Sequence, residues 1–135
     1  TLSNAANGTV TALKLNNKKA KTITIPPTVE IDGYNFKVTA INAKAFRKAG
    51  KLTGIVIGEN VTNMGSKAFL NCKKLKNIKF MGSKAPKIGS KAFKGTASKN
   101  CKVVISKKRK KKDFNKLKNN LKKQGISKKA SIKRK

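Results

Sequence analysis

Apolar residues return along this chain in columns, not in blocks. Leu52, Ile55 and Ile57 are matched 23 residues later by Leu75, Ile78 and Phe80. An earlier variant copy runs Ala20, Ile23 and Ile25. The Ile-x-Ile spacing alternates with period two, as a half-buried strand does. A second column follows at Ile41, Met64 and Ile88, and the next residue is Asn42, Gly65 or Gly89. A third column is an Ala-Phe pair, Ala45-Phe46, Ala68-Phe69 and Ala92-Phe93, returning after 23 and then 24 residues. A period of this size predicts a solenoid in which each repeat is one coil stacked on the next.

The columns predict the content of each coil. One short strand per coil stacks into a parallel sheet along one side. Asn42, Gly65 and Gly89 are expected in a left-handed turn, because Gly and Asn tolerate positive φ. The Ala-Phe pair is expected in a short helix or helical turn. There alanine permits close approach of coils, and Phe46, Phe69 and Phe93 stack as a buried aromatic spine.

Spacing between columns varies where loops belong. Ile57 to Met64 spans seven residues and Phe80 to Ile88 spans eight, but Ile25 to Ile41 spans sixteen. Within that insertion Asp32-Gly33 sits between two alternating apolar runs, which predicts a projecting β-hairpin over residues 28–38. Lys102 to Ile105 is expected as a last strand. Residues 110–124 carry Phe114, Leu117 and Leu121 at helical spacing, with Gly125 placed to end the helix. This helix is expected to cover the exposed end of the core. Ile126 and Ile132 are assigned to a final short strand, and Arg134-Lys135 are expected to fray. The predicted fold is an α+β repeat: a short right-handed solenoid of three or so coils, with a parallel strand stack, a projecting hairpin and a C-terminal capping helix. One domain over 1–135 is expected, with an N-terminal strand region at 1–19. Three repeats fill 20–97, with the hairpin insertion, and a strand and basic cap helix fill 98–135.

Charge is the second dominant feature. The 135 residues hold 35 Lys+Arg against four acids, Glu30, Asp32, Glu59 and Asp113, for a net charge of +31. Residues 107–135 contribute +14 and residues 1–106 contribute +17, so the repeat body is basic in its own right. Such a surface attracts polyanions through long-range, salt-sensitive forces. The densest block is Lys107, Lys108, Arg109, Lys110, Lys111 and Lys112. It admits two readings, a polyanion-binding patch and a solvated run leading into the helix. Specific readout of nucleic acid is disfavoured. Only Arg47, Arg109 and Arg134 are arginines, and the phenylalanines mostly fall in core columns and not where bases would stack. Tyr34, on the hairpin, is the candidate exposed contact.

Catalytic chemistry finds little support. There is no histidine. Glu30 and Asp32 form an i, i+2 carboxylate pair of the kind glycosidases use, but turn chemistry accounts for both. Phosphate loops, nucleophile elbows and zinc spacings are absent from the sequence, and no cofactor is implied. The two cysteines lack metal-ligand spacing. Cys72 shares the small-residue column of Ala49 and Thr96, and Cys101 alternates inward with Val103 and Ile105. Both are read as small hydrophobes, with a Cys72–Cys101 disulfide left open if the chain is extracellular. No stretch is long and apolar enough to span a membrane.

Leu52-x-x-Ile55-x-Ile57 followed by Val61-x-x-Met64-Gly65-x-x-Ala68-Phe69-x-x-Cys72 resembles the BspA-type bacterial leucine-rich repeat, over roughly residues 20–97. The resemblance implies a secreted or surface-attached bacterial protein, with no catalytic residues shared across the family. The expected role is a non-enzymatic binding or adhesion module, the C-terminal portion of a larger surface protein. Its expected partners are host or matrix proteins, or anionic cell-wall polymers or glycans. Two alternatives stand beside it: a basic nucleic-acid-binding protein, and a wall-anchoring module of a larger surface enzyme.

Overall fold

A computed structural model describes residues 2–4, 9–12, 21–82, 86–96, 101–108, 110–126 and 129–135. Ala20, in the variant first copy, and Arg109, in the basic block, lie outside the described residues. In chain order the elements are β1 (Leu2–Asn4), β2 (Thr9–Ala12), β3 (Thr22–Thr24), β4 (Thr28–Ile31), β5 (Tyr34–Ile41) and β6 (Gly54–Ile57). They continue with β7 (Asn63–Met64), β8 (Asn77–Phe80), β9 (Lys87–Ile88), β10 (Lys102–Ile105), α1 (Lys111–Lys123) and β11 (Ser131–Arg134).

The predicted parallel sheet is present and runs β11-β10-β8-β6-β3. Its register stacks like on like. Ile55 pairs with Ile23 and Ile78, and Ile78 pairs with Val103, which pairs with Ile132. Ile57, Phe80 and Ile105 form the next inward row and are at most 1% exposed. The five strands are those expected from sequence, except that the last, β11, holds Ile132 and not Ile126.

A second ladder was not anticipated. β2, β5, β7 and β9 pair in parallel, with β1 and β4 antiparallel on β2 and β5. β4 and β5 meet around Asp32 (φ 53°) and Gly33 (φ 81°), so both central residues adopt positive φ as a two-residue turn of this twist requires.

The third side of each coil is a run of turns, not the helical turn expected. Local bonds close three-residue steps, such as Ala45 N–H to Asn42 O (3.2 Å) and Arg47 N–H to Lys44 O (3.2 Å). Alternate amides point along the solenoid axis and donate to the next coil. Lys44, Phe46 and Lys48 donate to Ser66, Ala68 and Leu70 at 2.8–3.0 Å, and Lys67, Phe69 and Asn71 donate to Ser90, Ala92 and Lys94 at 2.8–2.9 Å. A helix would spend those donors on itself; here they join coils. The aromatic spine is as expected. Phe46, Phe69 and Phe93 stack with ring centroids 5.1 Å apart and planes within 6°.

The left-handed residue is not the one predicted. Lys44 (φ 59°), Lys67 (φ 57°) and Lys91 (φ 57°) occupy that conformation, two positions beyond Asn42, Gly65 and Gly89. Gly65 and Gly89 serve a steric need instead. A Cβ on Gly65 would lie 2.5 Å from Ala43 Cα and 2.6 Å from the Asn42 carbonyl carbon; one on Gly89 would lie 2.5 Å from the Gly65 carbonyl carbon.

Beyond Phe93 the stacking continues. α1 buries Leu117 and Leu121 completely and Phe114 in part. Asp113 in its first turn and Lys122 and Lys123 in its last complement the helix dipole. Gly125 (φ 108°) ends the helix in the left-handed region, as its position in the sequence predicts. Gln124 then takes the place of the next arm, its carbonyl accepting from Phe93 N–H at 3.0 Å and its Oε1 from Lys91 N–H at 3.1 Å. β11 follows. The last residues do not fray: Arg134 belongs to β11, Lys135 N–H donates to Ile105 O and Lys107 N–H donates to Lys135 O, both at 2.9 Å. One hydrophobic cluster extends from Ile25 to Ile126.

Candidate binding surface

In each strand of the large sheet two side chains point away from the core. Register places Thr22, Gly54, Asn77, Lys102 and Ser131 in one outward row. Thr24, Val56, Lys79, Val104 and Lys133 form the next. Small residues cluster on β3 and β6, so the surface sinks there. The result is an open groove of about 310 Å³ over β3, β6, β8 and β10. Gly54 forms its floor, where a Cβ would meet only ordinary contacts, 3.4 Å from Thr22 Cγ2 and 3.7 Å from Asn77 Cβ.

Two smaller depressions prolong this groove into a furrow. One, of about 240 Å³, shares Thr24 and Val56 with it and adds Pro27, Glu59 and Met81. The other, of about 130 Å³, shares Lys102 and Val104 and reaches Ser131, Lys133 and Lys135 on the β11 edge. The furrow has polarity. Glu59 and the 39% exposed Met81 sit at one end, and three lysines sit at the other. An open floor of threonine, glycine and valine, crossed by Asn77 and Lys79 on β8, suits an extended segment of a partner protein better than a reacting small molecule.

The residues singled out from sequence lie elsewhere. Tyr34 is 71% exposed at the start of β5, away from the furrow, while Phe36 packs against the core. Lys107, Lys108, Lys110, Lys111 and Lys112 are exposed, but they are divided between the turn after β10 and the start of α1. Lys110 flanks the helix without a side-chain capping bond, where the dipole disfavours a cation. Glu30 lies on β4 and Asp32 in the turn, both exposed. The furrow residues give little signal in sequence because they fill the positions between the apolar columns, and their one shared signal is smallness at Thr22, Thr24 and Gly54.

Both cysteines are buried free thiols. Cys72 Sγ–H donates to Phe46 O at 2.9 Å, which fills the small column between arms. Burial pushes its pKa from 9.0 up to about 11, against a smaller lowering by the Ala49 backbone. Cys101 is raised by burial as well. A thiol with a raised folded-state value holds its proton more tightly when folded. Its contribution to stability is complete below pH 9 and is lost as the pH climbs toward 11. The stability gap between wild type and Cys72→Ala should therefore shrink by about 2–3 kcal/mol across that window. Urea unfolding of both proteins at pH 8 and pH 11 checks it, since the common lysine titration cancels in the difference. Neither thiol is suited to nucleophilic work, because the reactive thiolate is disfavoured.

Stacked short strands, coil-to-coil turn arms and an aromatic spine define a leucine-rich-repeat solenoid. The BspA-type leucine-rich repeat region matches residues 39–133 in six copies, and the chain belongs to that family. The match starts later than the sequence columns suggested and runs through α1 and β11, consistent with the unbroken ladder there. A solved leucine-rich cell surface protein from Faecalibacterium prausnitzii A2-165 is 28% identical, with a TM-score of 0.58. The similarity covers 74% of this chain and 26% of that one, so this chain spans about a quarter of its length. No curated protein matches the chain. Among the described residues no helix is long and apolar enough to cross a membrane.

Proposed function

We propose that this chain is a non-enzymatic adhesion module of a bacterial surface protein, docking an extended protein segment in the furrow of its large sheet. The observation that carries the reading is the furrow itself, continuous across all five strands and floored by Gly54. Membership of a repeat family with a cell-surface relative supports display outside the cell. In this reading 1–135 acts as one domain, the β4–β5 ribbon projects beside the coils with Tyr34 at its tip, and α1 caps the core. Host or matrix proteins are the expected partners.

Gly54→Gln tests the docking surface. The new side chain has room, so folding should be preserved while the groove is filled without a change of charge. Binding of purified fibronectin, laminin, fibrinogen and collagen, measured by surface plasmon resonance at physiological salt, should detect at least one partner. The substitution should weaken that partner about tenfold or more. A partner that binds wild type and Gly54→Gln equally well would remove the furrow from the account. Binding of none of the four would refute the matrix-adhesion reading.

A further inference from the structure

A second face of the coils carries its own signal. The turn arms 42–51, 65–74 and 89–96 hold nine lysine and arginine residues and no carboxylate. One column within them is all lysine: Lys44, Lys67 and Lys91, each in the left-handed region. Arm-to-arm hydrogen bonds and the 5.1 Å spacing of the adjoining phenylalanine rings set the column's pitch at one lysine per coil.

Folding alone does not select lysine there. Left-handed backbone favours glycine and, next, asparagine. The second left-handed column of the same arms follows that preference, going from Lys48 to Asn71 to Gly95. The first keeps a strained lysine in all three coils, with like charges stacked at the coil pitch. Among the described residues none of these three is paired with a carboxylate. The residue before each lysine is small and exposed: Ala43, Ser66 and Ser90. The column therefore borders a low shelf on which a chain can lie along the solenoid axis.

We infer that this shelf binds a flexible linear polyanion whose charges hang on a sugar or polyol backbone, one anionic group meeting each lysine. Nucleic acid suits it poorly. The arm phenylalanines are all buried, leaving no ring for base stacking, and Arg47 is the arms' one guanidinium. The furrow lies on a different face, so this site stands or falls independently of the protein-docking surface.

The test removes the column without weakening the fold. In K44N/K67N/K91N asparagine tolerates the left-handed backbone, so the urea midpoint should hold or rise. K110Q/K111Q/K112Q removes the same charge from the basic block at the start of α1. Binding of heparin, poly(glycerol phosphate) and a 20-base-pair duplex DNA is measured at about 0.15 M salt. The asparagine triple should weaken heparin or poly(glycerol phosphate) about tenfold, and the control triple by no more than about twofold. Which polymer responds identifies sulfated glycan or polyol phosphate as the source. Equal loss in both triples would reduce the effect to net charge and overturn the site. So would failure of both polymers to bind, or a preference for DNA over both.

Discussion

Phe69→Ala is expected to lower the unfolding free energy by about 4 kcal/mol, at the costly end for core truncations. Phe69 is 0% exposed and its ring is sandwiched between Phe46 and Phe93, at 5.1 Å on each side. Truncation forfeits the transfer free energy of the ring and both ring contacts, each worth about 0.5–1.5 kcal/mol beyond area burial. It also opens a cavity that cannot collapse, because the arms on both sides are fixed by hydrogen bonds at 2.8–3.0 Å. Against a total of about 5–15 kcal/mol, one such substitution removes a large share. In a solenoid each coil touches only its neighbours, so loss in the middle coil should also broaden the transition as the two sides uncouple. Urea unfolding followed by far-ultraviolet circular dichroism would report both. Phe36→Ala, at a half-buried position, should cost clearly less.

Gly65→Ala should be almost as damaging, for a different reason. The added methyl carbon would meet backbone on the preceding coil, at Ala43 and Asn42, and not the end of a yielding side chain. Overpacking typically costs about 1–3 kcal/mol, and backbone against backbone belongs at the top of that range or above it. The same crowding recurs one coil later at Gly89. Opening the stack to make room would stretch the Gly65 N–H bond to Ile41 O (2.7 Å) and the Lys44 N–H bond to Ser66 O (3.0 Å).

Parts of this arrangement could be read from the chain, and the failures have physical causes. The phenylalanine spine was legible because a large apolar residue recurred at fixed spacing, and only stacking buries such a column. The Asp32-Gly33 turn was legible because positive φ at two adjacent residues needs that chemistry. The second ladder was hidden because β7 and β9 are two residues long, too short to show any period. Glycine serves both positive φ and close approach, and a sequence does not say which; at Gly65 and Gly89 the structure shows close approach. The left-handed lysines are not legible because they break the usual preference. The final strand at Ile132 was legible, but the length of the segment before it hid that it closes a further coil. Ser131 pairs with Lys102, 29 residues earlier, because α1 stands where a short arm would otherwise be. The furrow is least legible of all, because it lies in the positions between the columns, whereas the basic block is dense in sequence but spread by the fold over two elements.

The coils stack so tightly along their turn arms that glycine is required for clearance and lysine accepts the left-handed strain. Both proposed binding faces depend on it, because the stack fixes the pitch of the furrow rows and of the lysine column. Side-by-side urea unfolding of Gly65→Ala and Lys67→Asn tests it most directly. The account predicts a loss of about 3 kcal/mol for the first, and for the second no loss or a gain of up to about 1 kcal/mol. A tolerated Gly65→Ala, or a Lys67→Asn that costs as much as the glycine change, would contradict it.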